Sequence, residues 1–157
     1  MNLVPLGFLD VSAFAATYVQ KYRSREHPLV LRTVDGNTDL YTEWKSARAL
    51  LTRIKNAAAP FTDGEPPELG NVTIETLAPG DYQPWHADES DYRREFHELR
   101  VCIIPSPGGW TYCAGEAMVL PWGQVVAVNR AAASCEVNFG PTSRTHLIVD
   151  IRRVDKS

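Results

Sequence analysis

Between residues 71 and 151 the chain breaks into short runs rich in β-branched and aromatic residues, each closed by a turn signal. The runs cover 72–77, 99–104, 117–120, 125–128, 135–139 and 144–151. Pro79 with Gly80, the 105–109 segment, Pro121 to Gly123, and Gly140 with Pro141 punctuate them. Strands of about 5–6 residues recurring every roughly 8–12 give about seven or eight across this region. Such a series folds into a small jelly roll or barrel, with a β-sandwich as the alternative.

The first 70 residues have a different character. Val11, Phe14, Ala15, Tyr18, Val19 and Tyr22 lie on one helical stripe, with Asp10 or Ser12 as its cap. A second stripe runs through Trp44, Ala47, Leu50, Leu51 and Ile54 and ends before 57–60. Residues 29–34 are apolar and β-branched and predict a strand, followed by a turn at Asp35, Gly36 and Asn37. The segment 60–70, with three prolines and two glycines, reads as a surface loop. The expectation is an α+β, mainly β chain of one domain, with an N-terminal portion (1–70) whose helices pack on one sheet of a β core (71–152).

Composition narrows the function. The 157 residues are 44% hydrophobic and 22% charged, the profile of a globular chain rather than a disordered one. Sixteen Lys and Arg against nineteen Asp and Glu give a net charge of −3 without a basic stripe, which argues against a nucleic-acid partner. No apolar run approaches the roughly 20 residues of a membrane span, and the N-terminus lacks the basic start of a signal peptide. Three cysteines, Cys102, Cys113 and Cys135, are an odd number without metal-ligand spacing, as expected of reduced thiols in a cytoplasmic protein.

The chemistry begins at His86. In an extended backbone residues i and i+2 point to the same side, so His86 and Asp88 converge on one point. One imidazole and one carboxylate are two thirds of the two-His, one-carboxylate triad that holds non-haem Fe(II). The alternative is a surface turn in an acidic stretch with Glu89 and Asp91. On the last run Arg144, His146, Ile148 and Asp150 share a face. There the planar fork of Arg144 would suit a dicarboxylate such as 2-oxoglutarate, or else pair with a neighbouring acid. Tyr82, Trp85, Tyr92, Phe96, Trp110, Tyr112 and Trp122 are expected around the mouth, as a pocket for an apolar or planar molecule or as core filling. Gly108 and Gly109 predict a mobile loop over the opening.

The order Pro79-Gly80, His86-x-Asp88, Leu99-Arg100-Val101, Gly115-Glu116, Asn138 and Arg144 to Asp150 resembles the aspartyl/asparaginyl β-hydroxylase branch of the Fe(II)/2-oxoglutarate-dependent oxygenases. The resemblance covers about residues 71–152. It implies a double-stranded β-helix core in which His86 and Asp88 hold iron, Arg144 holds the far carboxylate of 2-oxoglutarate, and Arg100 lies near its other end. The substrate would be a small molecule or an amino-acid or peptide side chain. Three positions depart from the pattern. The distal iron-binding histidine falls on Ser134, a further common histidine on Cys102, and a cosubstrate-binding hydroxyl on Glu75, which would repel a dicarboxylate or pair with Arg144. The pattern also echoes two cupin motifs, again with the distal histidine replaced, by Val126. Trp85, Cys102, Trp110, Ser134 and His146 are expected to line the pocket, with His146 as a packed, hydrogen-bonded core residue. His97 is read as part of a solvated, charged stretch and His27 as a surface residue.

Three functions therefore stay open. The first is an oxygenase using Fe(II) and 2-oxoglutarate; the second is an iron-free enzyme of the same fold with His86, Asp88 and Glu75 as acid and base groups. The third is a non-catalytic cup for a small ligand.

Overall fold

The computed structural model describes residues 1–25, 27–33, 45–65 and 67–154. Trp44 and the turn expected at Asp35, Gly36 and Asn37 lie outside the described residues. Helix α1 spans Ser12–Lys21 and buries Phe14 and Tyr18, with Val11 and Tyr22 buried at its two ends. Val19 stands off this stripe and is exposed. Neither expected residue occupies the cap position, which is Val11. Asp10 instead accepts from the amide and hydroxyl of Ser12 (2.9 and 2.6 Å) and turns the chain into the helix. Helix α2, Lys45–Ala57, buries Ala47, Leu50, Leu51 and Ile54 as its periodicity predicts.

Among the described residues ten strands form two antiparallel sheets. The larger has the order β1 (Leu3–Phe8), β8 (Gln124–Val128), β5 (Phe96–Ile104), β10 (Arg144–Arg152), β3 (Leu69–Leu77), β2 (Leu29–Arg32). The smaller is β4 (Tyr82–His86), β9 (Ser134–Asn138), β6 (Gly109–Cys113), β7 (Glu116–Val119). This is the double-stranded β-helix arrangement, with eight strands between Leu69 and Arg152. The two sheets stay open at their edges, so the expected barrel is not closed. Strands β1 and β6 were not foreseen. A proline and a glycine interrupt the first, and the second begins in what read as a loop. The 60–70 loop is trimmed by a short 3₁₀ turn, Ala59–Phe61, and by the start of β3.

Alternation along the strands sorts the larger sheet into two faces. One carries Val72 and Ile74, Leu99 and Val101, Val125 and Ala127, and Leu147, Val149 and Ile151. The helices α1 and α2 cover it to make the main core, as expected. The other face looks at the smaller sheet. There Val126, Val128, Cys102 and Leu3 meet Cys113 and Leu120 in a second apolar cluster. The remainder of the inter-sheet space, between β3, β5 and β10 on one side and β4 and β9 on the other, is charged. Among the described residues no helix is long and apolar enough to cross a membrane.

Candidate functional site

On the inner face of the large sheet, Glu75 of β3 sits opposite His146 of β10, Ile148 opposite Arg100 of β5, and Asp150 opposite Glu98 of β5. Glu136 and Ser134 of β9 face them from the smaller sheet, two residues apart and therefore on one side. Arg144, buried at the start of β10, gives one terminal nitrogen to Glu75 Oε1 (2.9 Å) and the other to Glu136 Oε2. Arg100, equally buried, meets Glu75 Oε1 (3.1 Å), Glu136 Oε1 (3.2 Å) and Glu98 Oε1 (2.8 Å). Gln83 donates to the second oxygen of Glu75 (2.7 Å), and Thr111 donates to Glu136 (2.8 Å).

Two more arginines complete the network. Arg93, on the short helix α3 (Asp91–Glu95), contacts Asp150 at 2.7 Å and Glu98 at 3.3 Å, and Tyr92 donates to the other oxygen of Asp150 (2.7 Å). Arg130, in the turn between β8 and β9, approaches Glu98 at 3.4 Å. Arg93, Arg100, Arg130 and Arg144 thus stand against Glu75, Glu98, Glu136 and Asp150, and the formal charges cancel. Burial works against charge on Glu75, yet Arg100 and Arg144 hold its carboxyl below the ordinary 4.5. Burial also opposes the charge of Arg100, and Glu136, Glu75 and Glu98 carry its pKa well above the ordinary value all the same.

The cleft over this network has a volume of about 520 Å³ and opens to solvent. Its walls include Glu75, Arg100 and Ile148 at the floor and Thr73, Gln83 and His86 nearer the rim. His86 belongs to this cleft; Asp88 does not. Asp88 lies in a separate surface depression, accepts from the Ser90 amide (3.1 Å) and sits 3.4 Å from Arg93 Nε. The bonds to Ser90 lead in holding its carboxyl below 3.8, with help from Arg93. The expected convergence of His86 and Asp88 is therefore not seen. Strand β4 shifts register between Gln83 and His86 and ends at His86, so the period-two rule no longer governs Asp88.

The remaining sequence expectations divide in the same way. Glu75 and Arg100 line the cleft, and Glu75 pairs with Arg144. None of Trp85, Cys102, Trp110, Ser134 and His146 forms the wall of the cleft. Ser134 lies behind Arg130, and Cys102 is packed in the second apolar cluster. His146 is buried with neither ring nitrogen hydrogen-bonded, and desolvation together with Arg144 and Arg100 keeps it neutral.

The aromatic residues do not ring the mouth. Thr111 points inward to Glu136, so its neighbours Trp110 and Tyr112 point outward, where Tyr112 meets Trp85 at 6.1 Å between ring centroids. Gly108 and Gly109 form no free flap. A Cβ on Gly108 would lie 2.2 Å from the Gly140 nitrogen, and one on Gly109 2.7 Å from the Arg144 side chain. His97 is on β5, half-buried, on the face away from the cleft. His27 is likewise only partly exposed, 3.3 Å from the Tyr18 hydroxyl.

Sequence reasoning missed Glu98, Glu136, Arg93 and Arg130. The first two had a readable signal: Glu98 is two residues from Arg100 and Glu136 two from Ser134, so each shares its partner's face. Arg93 comes from the five-residue helix α3 and Arg130 from a turn, segments too short for a periodicity to show.

The residues do not fit Fe(II) and 2-oxoglutarate. Among the described residues no three His, Cys, Asp or Glu side chains are grouped to hold a metal ion. His86 Nε2 faces the Arg130 guanidinium at 2.6 Å, and the Asp88 carboxylate is turned elsewhere. The forks of Arg144 and Arg100 are taken by carboxylates of the chain itself, which would repel a second dicarboxylate.

No protein-family model and no curated protein matches the sequence. Solved structures do resemble the fold. AviO1 from Streptomyces viridochromogenes Tue57 aligns over 98% of this chain and 90% of its own, with a TM-score of 0.65 and 18% identity. The viral collagen prolyl hydroxylase of Paramecium bursaria Chlorella virus-1, solved with 2-oxoglutarate, aligns over 99% and 97% with a TM-score of 0.65 and 12% identity. The non-haem monooxygenase ThoJ, solved with nickel, aligns over 97% and 74% with a TM-score of 0.64 and 18% identity. The chain thus has the fold of the non-haem oxygenases; at such identities the likeness concerns the fold alone.

Proposed function

We propose that the protein is a small-molecule-binding member of the oxygenase-like double-stranded β-helix proteins, which takes an uncharged, hydrogen-bonding ligand in the cleft between the sheets and uses neither iron nor 2-oxoglutarate. One observation carries this reading: Arg144 and Arg100 are both closed by Glu75 and Glu136. With cations and carboxylates already matched, a charged ligand would bury an unpaired charge, whereas hydroxyls and amides can pair with Thr73, Gln83 and the free lone pairs of the carboxylates. The floor at Ile148 offers a small apolar contact.

The same contacts weigh against the acid/base alternative. Glu75 is a pinned carboxylate, His86 Nε2 is occupied, and Asp88 lies outside the cleft. The hydroxylase reading, with kinship to the aspartyl/asparaginyl branch, has the fold and the spacing of Asn138, Arg144 and Asp150 on its side. Three buried thiols suit a reducing, cytoplasmic setting.

The test is calorimetric titration with 2-oxoglutarate and succinate beside a panel of neutral polyols and sugars. Binding of a neutral ligand that Gln83→Ala weakens is the expected result. Binding of 2-oxoglutarate, or its iron-dependent conversion to succinate, would overturn the proposal.

A further inference from the structure

The three positions at which the sequence resemblance implies iron ligands, His86, Asp88 and residue 134, are not simply vacant. His86 and Ser134 are register partners across β4 and β9. Between them lies the guanidinium of Arg130: Nη2 donates to His86 Nε2 (2.6 Å), Nη1 donates to Ser134 Oγ (2.9 Å), and Nε lies 3.4 Å from Glu98. Arg130 is 8% exposed, and its carbonyl accepts from the Asp88 amide (2.8 Å), so the turn that delivers it is tied to the strand end that carries His86.

We propose that Arg130 is a tethered cation that takes the place of a metal ion in this cleft, and that Ser134 and Arg130 are one joint adaptation. A guanidinium has donors only, so His86 must present a lone pair at Nε2. Its other nitrogen, Nδ1, lies 2.8 Å from the Pro84 carbonyl and donates to it, which fixes the tautomer. This is how a metal-binding imidazole is prepared, with its far N–H held by a carbonyl and its near lone pair aimed at a cation. A histidine at 134 would project its ring into the space the guanidinium fills. The hydroxymethyl of serine leaves that space and accepts one of its hydrogens. Asp88, the third expected ligand, is left to a different arginine, Arg93. The cation is thus covalent, fixed in place and singly charged, where a metal would be exchangeable and divalent.

This inference deepens the metal-free part of the proposed function through the Arg130 contacts. Co(II) binding tests it, whereas the neutral-ligand titration tests the ligand class, so the two failures are distinguishable. Titration of the wild-type protein with Co(II), followed by calorimetry and by visible absorption, reads metal binding directly. The expected result is no stoichiometric binding. Arg130→Ala combined with Ser134→His removes the cation and restores the imidazole. Affinity for Co(II) should then rise by at least about 100-fold, and His86→Ala in that background should abolish the gain. Stoichiometric Co(II) binding to the wild-type protein through His86 overturns the proposal, as does a folded double variant whose affinity is unchanged. Nitrogen-15 spectra of wild-type His86 decide the matter should the double variant not fold. A neutral Nδ1–H ring unmoved by added Zn(II) supports the proposal, and an Nε2–H tautomer or a zinc-shifted ring refutes it.

Discussion

Replacing Glu75 with Gln probes the charge network at its centre. Glu75 Oε1 takes hydrogen bonds from both Arg144 (2.9 Å) and Arg100 (3.1 Å), and Oε2 takes one from Gln83 (2.7 Å). The amide keeps the shape but removes the charge, leaving four arginines against three carboxylates in a buried space. Breaking a buried ion pair from one side costs about 3–5 kcal/mol. For a domain of this size each kcal/mol moves the midpoint by roughly 2–4 °C, so scanning calorimetry should show a fall of roughly 6–20 °C. The loss depends on pH with a definite sign. The folded carboxyl titrates below its ordinary 4.5. Its contribution is therefore complete above that value and disappears as the pH falls through the lower folded value. The gap between wild type and variant should accordingly narrow in acid. Succinate or 2-oxoglutarate should rescue the variant alone by supplying the missing carboxylate, by about 2.7 kcal/mol at a hundred times its Kd. A loss below about 1 kcal/mol, the scale of an exposed ion pair, would refute the claim that these arginines are dry and already matched.

Three other outcomes follow from the same coordinates. Burial pushes the Cys102 thiol up to about 12, against a small opposing pull from Arg144, so iodoacetamide at pH 8 should leave it unmodified until the protein is unfolded, as read by mass spectrometry. Burial, with Arg153, lowers the His97 pKa to about 4 from 6.5; stability should decline as the pH falls between those values, and His97→Gln should flatten that part of the calorimetric pH profile. Gly108→Ala drives a methyl into the Gly140 backbone, with 2.2 Å between Cβ and nitrogen, and should lower the midpoint by several degrees, whereas a mobile flap would tolerate it.

Much of the fold was legible because alternation of apolar residues is a local signal. The last strand shows it best: its faces divide as read, with Leu147, Val149 and Ile151 toward the helices and Arg144, His146 and Ile148 toward the smaller sheet. The helices were legible for the same reason, down to Phe14, Tyr18, Leu50 and Ile54. Strands β1 and β6 escaped because Pro5 and Gly7 interrupt the first and the second begins at Gly109 in the 105–109 turn signal, whereas β1 lies at a sheet edge and shifts register between Pro5 and Gly7, and Gly109 makes room for Arg144. Within the site, the departures at Glu75 and Ser134 were visible in the sequence, but their consequence was not. Glu75 gains its meaning from Arg100 and Glu136, and Ser134 from Arg130, contacts that only the facing of two sheets creates.

The two ends of the inter-sheet space differ in a way that bears on function. Around Cys102, Val126 and Leu120 the sheets meet through apolar side chains. Around Arg100 and Glu136 they meet through ions. Both regions lie in one layer of one fold, so packing alone does not require the second to be charged. A buried ionic cluster is commonly no more stable than apolar residues of similar volume, because desolvation consumes most of the Coulombic attraction. A chain selected only to hold its sheets together would gain by extending the apolar end. The ions instead gather beneath an inter-sheet cleft that reaches solvent, with Gln83 and Thr73 at its wall and Tyr92 and Thr111 steering Asp150 and Glu136 from the side. Polar groups held this firmly in a concave, partly dry site are pre-organised for hydrogen bonding. Stability given up at the cleft is thus what the proposed binding of a small ligand there would require.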